Sequence, residues 1–285
     1  MNKPTISICT LIRSEAHQME SFLLDLKGFA DEVIFVDSGT STDATIPIIK
    51  KHIDTGENHI KHHSFIEEGK PHFGKIRNFC LEKATMDYVI FLDADERLSE
   101  DFKNDIRKYL KEKNPNVVKI IRIDDLVTNL VENIDRIIKN DKNIWYGTDE
   151  GSRAHEYPIH SDKSEIFPEP IWHSQKEGHW LHSPQRILHC IDLEIYRTPK
   201  TKTFFGHLLR GLWLFQFKFK KVYFQQNVRK NGRVGLKYAF MRALQVFIIQ
   251  LFVGLKPGGK YKYWENPNYE KNMKSALDEL HFKNK

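Results

Sequence analysis

From residue 196 to residue 262 the sequence contains no Asp and no Glu, although the whole chain of 285 residues has 38 of them. The same 67 positions hold 15 Lys and Arg. Because the chain as a whole stands at a formal +6, everything outside that segment carries −9. A mildly basic average therefore conceals an acidic body and a strongly basic segment, an asymmetry that reports on a partner surface. Other absences narrow the class. Three cysteines, Cys9, Cys80 and Cys190, cannot all pair, which excludes a disulfide scaffold and makes a reducing compartment the expectation. No run of 18 apolar residues occurs, and the longest uncharged stretch near the C-terminus, 243–255, is short, so no bilayer-spanning helix is expected. The first 15 residues hold only a short apolar run without a small-residue cleavage pattern, so no secretory signal is expected. Neither a G-x-G-x-x-G after the first apolar run nor a G-x-x-x-x-G-K-[ST] anywhere is present, which disfavours dinucleotide redox enzymes and P-loop NTPases.

What is present in the first 125 residues alternates between strand and helix patterns. Residues 6–12 (ISICTLI) form a short apolar run rich in β-branched side chains, the pattern of a buried strand. Residues 15–29 carry Met19, Phe22, Leu23, Leu26 and Phe29 at helical spacing, with Gly28 near the end. The run at 33–36 predicts a second strand ending at Asp37, and the turn-rich stretch 38–43 leads into a helix through Ile46, Ile48 and Ile49. A weaker strand at 59–65, a helix at 73–84, a strong strand at 88–92 (YVIFL), a helix at 101–110 and a strand at 117–123 complete the series. Strands separated by helices imply an α/β domain with a mostly parallel sheet covered on both faces. From 124 to 184 the pattern is irregular, its histidines fall in no recognisable zinc spacing, and no secondary structure is assigned.

Ligands of such sheets bind beyond the carboxyl ends of the strands. Arg13-Ser14-Glu15, Asp37-Ser38-Gly39 and Asp93-Ala94-Asp95 follow the first, second and fourth predicted strands, so three strand ends address one crevice. Asp37 can accept hydrogen bonds from a base or ribose, or close an Asx-turn into Ser38 and Gly39, and the two roles are compatible. Asp93 and Asp95 suit a hard divalent ion, Mg²⁺ or Mn²⁺, shared with a phosphate-bearing ligand, because Mg²⁺ takes few protein carboxylates and keeps waters and substrate phosphates. The plainer alternative is that the pair caps and solvates the turn after its strand. An aspartyl-nucleophile phosphatase would also carry a D-x-D, but on the first strand and not the fourth.

SICTLIRSE, FADEVIFVDSGTSTDAT and FGKIRNFCLEKATMDYVIFLDADERLS resemble, in order and spacing, the nucleotide-binding half of the family 2 inverting glycosyltransferases. The likeness is greatest to the bacterial subgroup that builds lipopolysaccharide core, O-antigen and exopolysaccharide sugars, and it covers about residues 4–100. The resemblance implies a GT-A fold (Rossmann-like, mostly parallel, flanked by helices), a nucleotide-sugar donor, a UDP-sugar before others, and a divalent metal. By position, Asp37 matches the acidic residue contacting the nucleoside and Glu15 the acidic residue after the first strand. Arg77 and Asn78 match the basic/amide pair lining the nucleotide pocket, with Arg13 and Ser38 among the donor-side residues. Asp93 matches the sugar-binding and Asp95 the metal-binding member of the acidic pair. Further on, the run around Arg136, Gly147, and Arg153-Ala154-His155-Glu156 resemble the family's arginine run, glycine and His-Glu pair, with an insertion-like stretch at 148–152. This makes Glu156 the implied catalytic base, with Glu169, Asp149 and Glu150 as competing carboxylates. The implied reaction is a single displacement with inversion at the anomeric carbon, the carboxylate taking the acceptor's hydroxyl proton and the metal offsetting charge on the departing diphosphate.

The acid-free segment sets Arg210, Lys218, Lys220, Lys221, Arg229 and Lys230 among Phe204, Phe205, Leu209, Leu212, Trp213 and Phe217. Apolar side chains facing one way with cations at the rim describe an interfacial helix, and each cation near anionic lipid contributes about 1 kcal/mol. An ordinary helical core leaves the absence of acid unexplained, and a nucleic-acid surface would need a recognisable module such as an RNP motif, which is missing. Similar basic, apolar tails occur in the bacterial subgroup, whose acceptors are lipid-linked. The expected organisation is a nucleotide-sugar-binding half at 1–125, an acceptor-binding and catalytic half at 126–195, a basic aromatic membrane-associating helical segment at 196–265 and a tail at 266–285. The expected function is sugar transfer to a lipid-linked or saccharide acceptor in bacterial cell-surface glycan synthesis, peripheral to the inner face of the cytoplasmic membrane and without a nucleic-acid partner. The rivals are another metal- and nucleotide-dependent transferase or phosphohydrolase, and a non-catalytic membrane or nucleic-acid binding protein.

Overall fold

The computed structural model describes residues 3–39, 41–67, 72–125, 127, 131–148, 157–160, 164–174 and 202–255. The chain forms two compact units, Met1–Gln175 and Lys176–Lys285. In the first, the order is β1 (Ile6–Ile12), α1 (Ala16–Leu26), β2 (Glu32–Asp37), α2 (Thr45–Asp54), β3 (Ile60–Ser64), α3 (Phe73–Lys83), β4 (Tyr88–Phe91), β5 (Glu96–Leu98), α4 (Glu100–Lys113), β6 (Val117–Asp124), β7 (Val131–Lys139), β8 (Trp145–Tyr146), β9 (Pro158–Ile159) and β10 (Glu165–His173). Eight of these strands form one mostly parallel sheet in the order β3-β2-β1-β4-β7-β6-β10-β5, and β8 pairs with β9. With helices against it, this is the GT-A arrangement.

The strand period of two explains how both sheet faces are covered. In β1, Ile6, Ile8 and Ile12 join one core with Phe22 and Leu26 of α1, while Cys9 joins a second with Ile76 and Cys80 of α3. Buried on both faces, β1, β2 and β4 read as nearly unbroken apolar runs, as central parallel strands must. Helix α4 has its own punctuation: the Ser99 hydroxyl accepts the Phe102 N–H, and Asn114 closes the helix in a left-handed conformation at φ 45°.

The region read as irregular contains β7 and β10. Strand β10 carries Pro168 and Pro170, and its pairing with β6 shifts register between Phe167 and Pro170. Prolines cannot donate to the ladder and collect at such bulges, which disguises the strand in the sequence. Strand β7 runs antiparallel to both of its neighbours, β4 and β6. That reversal gives β4, β6 and β10 one direction, shared with β1, β2 and β3. Six carboxyl ends therefore open on a single edge of the sheet.

The second unit is a helical hairpin of α5 (Phe204–Lys220) and α6 (Gly232–Leu255), joined through a π-helical turn (Lys221–Gln225) and a 3-10 turn (Val228–Asn231). Small residues set the close approach: a Cβ on Gly211 would lie 3.1 Å from side-chain atoms of Gln250 and Phe247, and one on Gly254 3.1 Å from those of His207 and Phe204. Buried between the helices, the His207 ring Nδ1 and Gln250 Oε1 are 3.0 Å apart. The 3-10 turn and α6 together, Val228–Leu255, make 28 residues with a window of mean hydropathy 1.6, long and apolar enough by length and composition alone to cross a bilayer, where the sequence led to no expectation of a bilayer-spanning helix. The sequence count demanded an uninterrupted apolar run, and Arg242, Gln245 and Gln250 interrupt it without ending the helix.

Candidate active site

The acidic stretch 93–96 leaves the end of β4 and turns at once into β5, the Glu96 N–H donating to the Asp93 carbonyl at 2.9 Å. Glu96, fully buried, accepts the Asp93 N–H at 2.9 Å through its side chain. It also faces Arg122 of β6 at 3.2 Å and Arg136 of β7 at 3.5 Å. Arg136 reaches Asp93 with both guanidinium nitrogens, at 2.7 and 3.3 Å. Paired planar groups of this kind fix direction as well as charge. Burial pushes the Asp93 carboxyl up, but Arg136, with Arg77 and Arg122 behind it, overrides that and holds it well below the usual carboxylate range.

Asp95 stands differently. Its side chain is 35% exposed, and its carboxylate lies 3.3 Å from Nε2 of His173 at the end of β10. The other ring nitrogen of His173 lies 3.7 Å from Asp124 at the end of β6. Burial lowers the imidazole's pKa, yet its partners Asp124 and Asp95 prevail and lift it to about 9. The Ser174 N–H donates to the Asp95 carbonyl at 2.8 Å, which ties the acidic turn to the end of β10.

A third carboxylate, Glu15, opens α1 beyond β1. Burial, then the negative charges of Asp95, Asp93 and Asp43, push its carboxyl up to about 7. Asp43 braces the neighbouring loop, accepting the Ala16 N–H and the Thr45 hydroxyl at 3.0 and 2.5 Å. At the end of β2 the buried Asp37 accepts the Ser41 hydroxyl at 2.9 Å. Ser14, strained into φ 56°, receives the Thr42 N–H at 3.0 Å. Arg13 is exposed and Ser38 half-buried on this edge.

On the other flank, Arg77 of α3 stacks over Phe91 and Tyr146, 4.8 and 5.5 Å from the ring centroids. The Asn78 amide is engaged in a reciprocal pair with the Tyr146 backbone, donating at 3.0 Å and accepting at 2.6 Å. Next to it, a Cβ on Gly74 would fall 2.1 Å from the Gly147 carbonyl oxygen. Asn78 thus clamps the segment leading out of β8, at the position that the resemblance matches to the amide of the nucleotide-pocket pair. The structure brings Arg13, Glu15, Asp37, Ser38, Asp93 and Asp95 to one edge. Glu156, like Asp149 and Glu150, lies outside the described residues, and Glu169 sits in the β10 bulge.

His173, Asp124, Arg122 and Glu96 were not singled out from the sequence. Glu96 had a signal, since it directly follows the acidic pair at a strand end. His173 and Asp124 had none, because their meeting depends on the β6–β10 register.

Among the described residues no group of three or more His, Cys, Asp or Glu is placed to hold a metal ion. The donor set nonetheless fits a hard divalent cation held chiefly by substrate. Arg136 neutralises Asp93, Asp95 remains partly open beside His173, and Glu15 supplies a further carboxylate on the same edge.

The family model described as Glycosyl transferase family 2 matches residues 7–161. The SPbeta prophage-derived glycosyltransferase SunS of Bacillus subtilis (strain 168) is 32% identical over 129 residues, covering 45% of this chain and 28% of the relative. The glycosyltransferase SunS of Bacillus phage SPbeta matches with the same figures, 32% over 129 residues, 45% and 28%. The match thus spans less than a third of these relatives' length. Among solved structures, S. aureus TarS 1-349 is 17% identical, with 87% of this chain and 81% of that chain covered at a TM-score of 0.42. The same protein in complex with UDP-GlcNAc is 16% identical, with coverages of 87% and 81% and a TM-score of 0.42.

Proposed function

We propose, from the premise that this chain belongs to glycosyltransferase family 2, its family model matching residues 7–161, that it moves a sugar with inversion from a nucleotide-sugar donor to a lipid-linked or saccharide acceptor. The setting proposed is bacterial cell-surface glycan synthesis at the inner face of the cytoplasmic membrane. The observation that carries the donor reading is the unequal treatment of the two aspartates on the edge where six carboxyl ends meet. Asp93 is locked by Arg136 in one orientation, suited to accept hydrogen bonds from sugar hydroxyls. Asp95 stays partly open, and Asp37 offers its carboxylate at the next strand end, where a nucleoside lies in folds of this kind.

A UDP-sugar is the first donor to try. Members of the family generally use a divalent cation, and Asp95 would hold Mg²⁺ or Mn²⁺ here, supplying charge compensation for the departing diphosphate. Arg13 and Arg77 flank the edge as cations for the same phosphates. Asn78 orders the chain segment that leads towards Glu156, the base proposed to take the acceptor's proton while the hydroxyl attacks opposite the leaving group. The organisation proposed is donor binding at 1–125, acceptor binding and catalysis at 126–195, and membrane association at 196–265.

The test is a transfer assay with a panel of UDP-sugars and Mg²⁺ or Mn²⁺, reading nucleoside diphosphate and free phosphate separately. Release of the diphosphate alone is expected. Release of inorganic phosphate would favour a phosphohydrolase. Glu156→Gln is expected to retain donor binding and to lose turnover, and near-normal turnover would sink Glu156 as the base.

A further inference from the structure

Both helices of the hairpin expose apolar side chains, Leu236, Phe240 and Leu255 of α6 among them, but the most exposed aromatics of the hairpin lie on α5. On α5, Phe205, Leu209, Leu212 and Trp213 recur at i, i+4, i+7 and i+8 and lie on one side of the helix, with Phe205 64% and Trp213 62% exposed. His207 and Gly211, on the other side, are buried against α6. Exposed aromatic and aliphatic side chains in a continuous stripe mark an interaction surface. The stripe occupies the first half of α5, and Lys218, Lys220, Lys221, Arg229, Lys230 and Arg233 follow at and around the closed end of the hairpin, within 67 residues of sequence that hold no carboxylate. The charge complement of that end is a dense anionic plane.

Helix α6 has the length and apolarity to cross a bilayer, yet its small residues and Gln250 are committed to α5. A crossing α6 must either shed α5, exposing Gln250 and His207 to lipid, or carry α5 in with Arg210 halfway along it. A charged residue at mid-bilayer is costly, and an interfacial position avoids it.

We propose that the hairpin is a monotopic docking element for an anionic phospholipid leaflet. The outer stripe of α5 enters the acyl boundary, the basic closed end rests on the lipid phosphates, and α6 packs behind α5 without spanning. This rests on the membrane reading above for its partner, and adds which surface makes contact and how deeply.

The full chain is sedimented with phosphatidylglycerol/phosphatidylcholine vesicles and with phosphatidylcholine alone. Binding is expected only with the anionic vesicles and is expected to weaken with salt. Phe205→Ser/Leu209→Ser/Trp213→Ser and Lys218→Glu/Lys220→Glu/Lys221→Glu are each expected to lose about tenfold or more in vesicle partitioning. Phe252→Ser on α6 is expected to change it less than about twofold. Should the triple variants misfold, Trp213→Phe supplies an independent readout. Lipids brominated near the headgroup end of their chains should quench wild-type fluorescence more than those brominated near the chain ends, and the difference should vanish in the variant. No association at low salt overturns both the docking element and the membrane reading. Association that survives loss of the α5 stripe but not Phe252→Ser, or quenching strongest at the bilayer centre, overturns the docking mode while the membrane reading stands. Nucleotide-sugar binding in the absence of vesicles reports separately on the transferase reading.

Discussion

The two ends of the sheet treat buried charge in opposite ways. At the amino-terminal edge, Glu32 is enclosed by the Ser7 hydroxyl, the Lys61 ammonium and both the N–H and hydroxyl of Thr85. Nearby, Arg107 binds Asp31 at 2.6 Å and the backbone carbonyls of Pro4 and Phe29. Burial works against the Glu32 carboxylate, but its hydrogen bonds outweigh it and its pKa is lowered. At the carboxyl edge, burial and then the charges of Asp95, Asp93 and Asp43 raise the Glu15 pKa to about 7. Glu32 is closed in by donors, whereas Glu15 has three other carboxylates as electrostatic neighbours. That contrast separates residues that hold the fold from residues that wait for a ligand.

The sharpest way to break it is Asp95→Asn. Loss of about 10³-fold or more in transferase turnover is expected if Asp95 holds the cation, together with a lowered urea midpoint near pH 7, because the buried His173 imidazolium loses one of its two carboxylate partners. Arg136→Met breaks both readings of the edge at once. It strands the Asp93 and Glu96 carboxylates in a buried setting and should cost about 3 kcal/mol or more in urea unfolding, with donor binding lost. Glu32→Gln is the mirror experiment at the closed end. It should cost about 1–3 kcal/mol near pH 7 while leaving turnover per folded molecule unchanged. The sign follows from the lowered pKa: this stabilisation is present above the unfolded value of a glutamate and is lost as pH falls through the folded one. The smallest effect is the opposite in sign. A raised pKa means the Glu15 penalty is absent below the unfolded value and complete above about pH 7. Glu15→Gln should therefore stabilise the protein at pH 8 by about 1 kcal/mol, after discounting for partial exposure, and by nothing measurable near pH 4. Paired urea melts at the two pH values check it.

The first half of the chain was legible because its strands, buried on both faces, write themselves as apolar runs, and because parallel strands put their polar ends together. Asp37, Asp93 and Asp95 could be placed at one edge from that alone. The second half resisted for physical reasons. Strand β7 reverses direction and β10 carries prolines at a bulge, so neither displays a clean period. His173 meets Asp95 and Asp124 only through their register, which no local pattern encodes. The pairing of the Asn78 amide with the Tyr146 backbone was likewise invisible, because it depends on the packing of α3 on β8. In the second unit the composition pointed to a basic aromatic helical surface, while the continuity of α6 past Arg242 was concealed by counting apolar residues instead of helix length.

The central claim is that the open carboxyl edge is a cation-dependent nucleotide-sugar site organised around Asp95. Equilibrium titration of a UDP-sugar panel, with Mg²⁺ or Mn²⁺ and with a chelator, in wild type, Asp95→Asn and Glu32→Gln, tests it directly. The account predicts binding of at least one donor that requires the cation, disappears in Asp95→Asn and persists in Glu32→Gln. Donor binding that is indifferent to the chelator and to Asp95→Asn would contradict it.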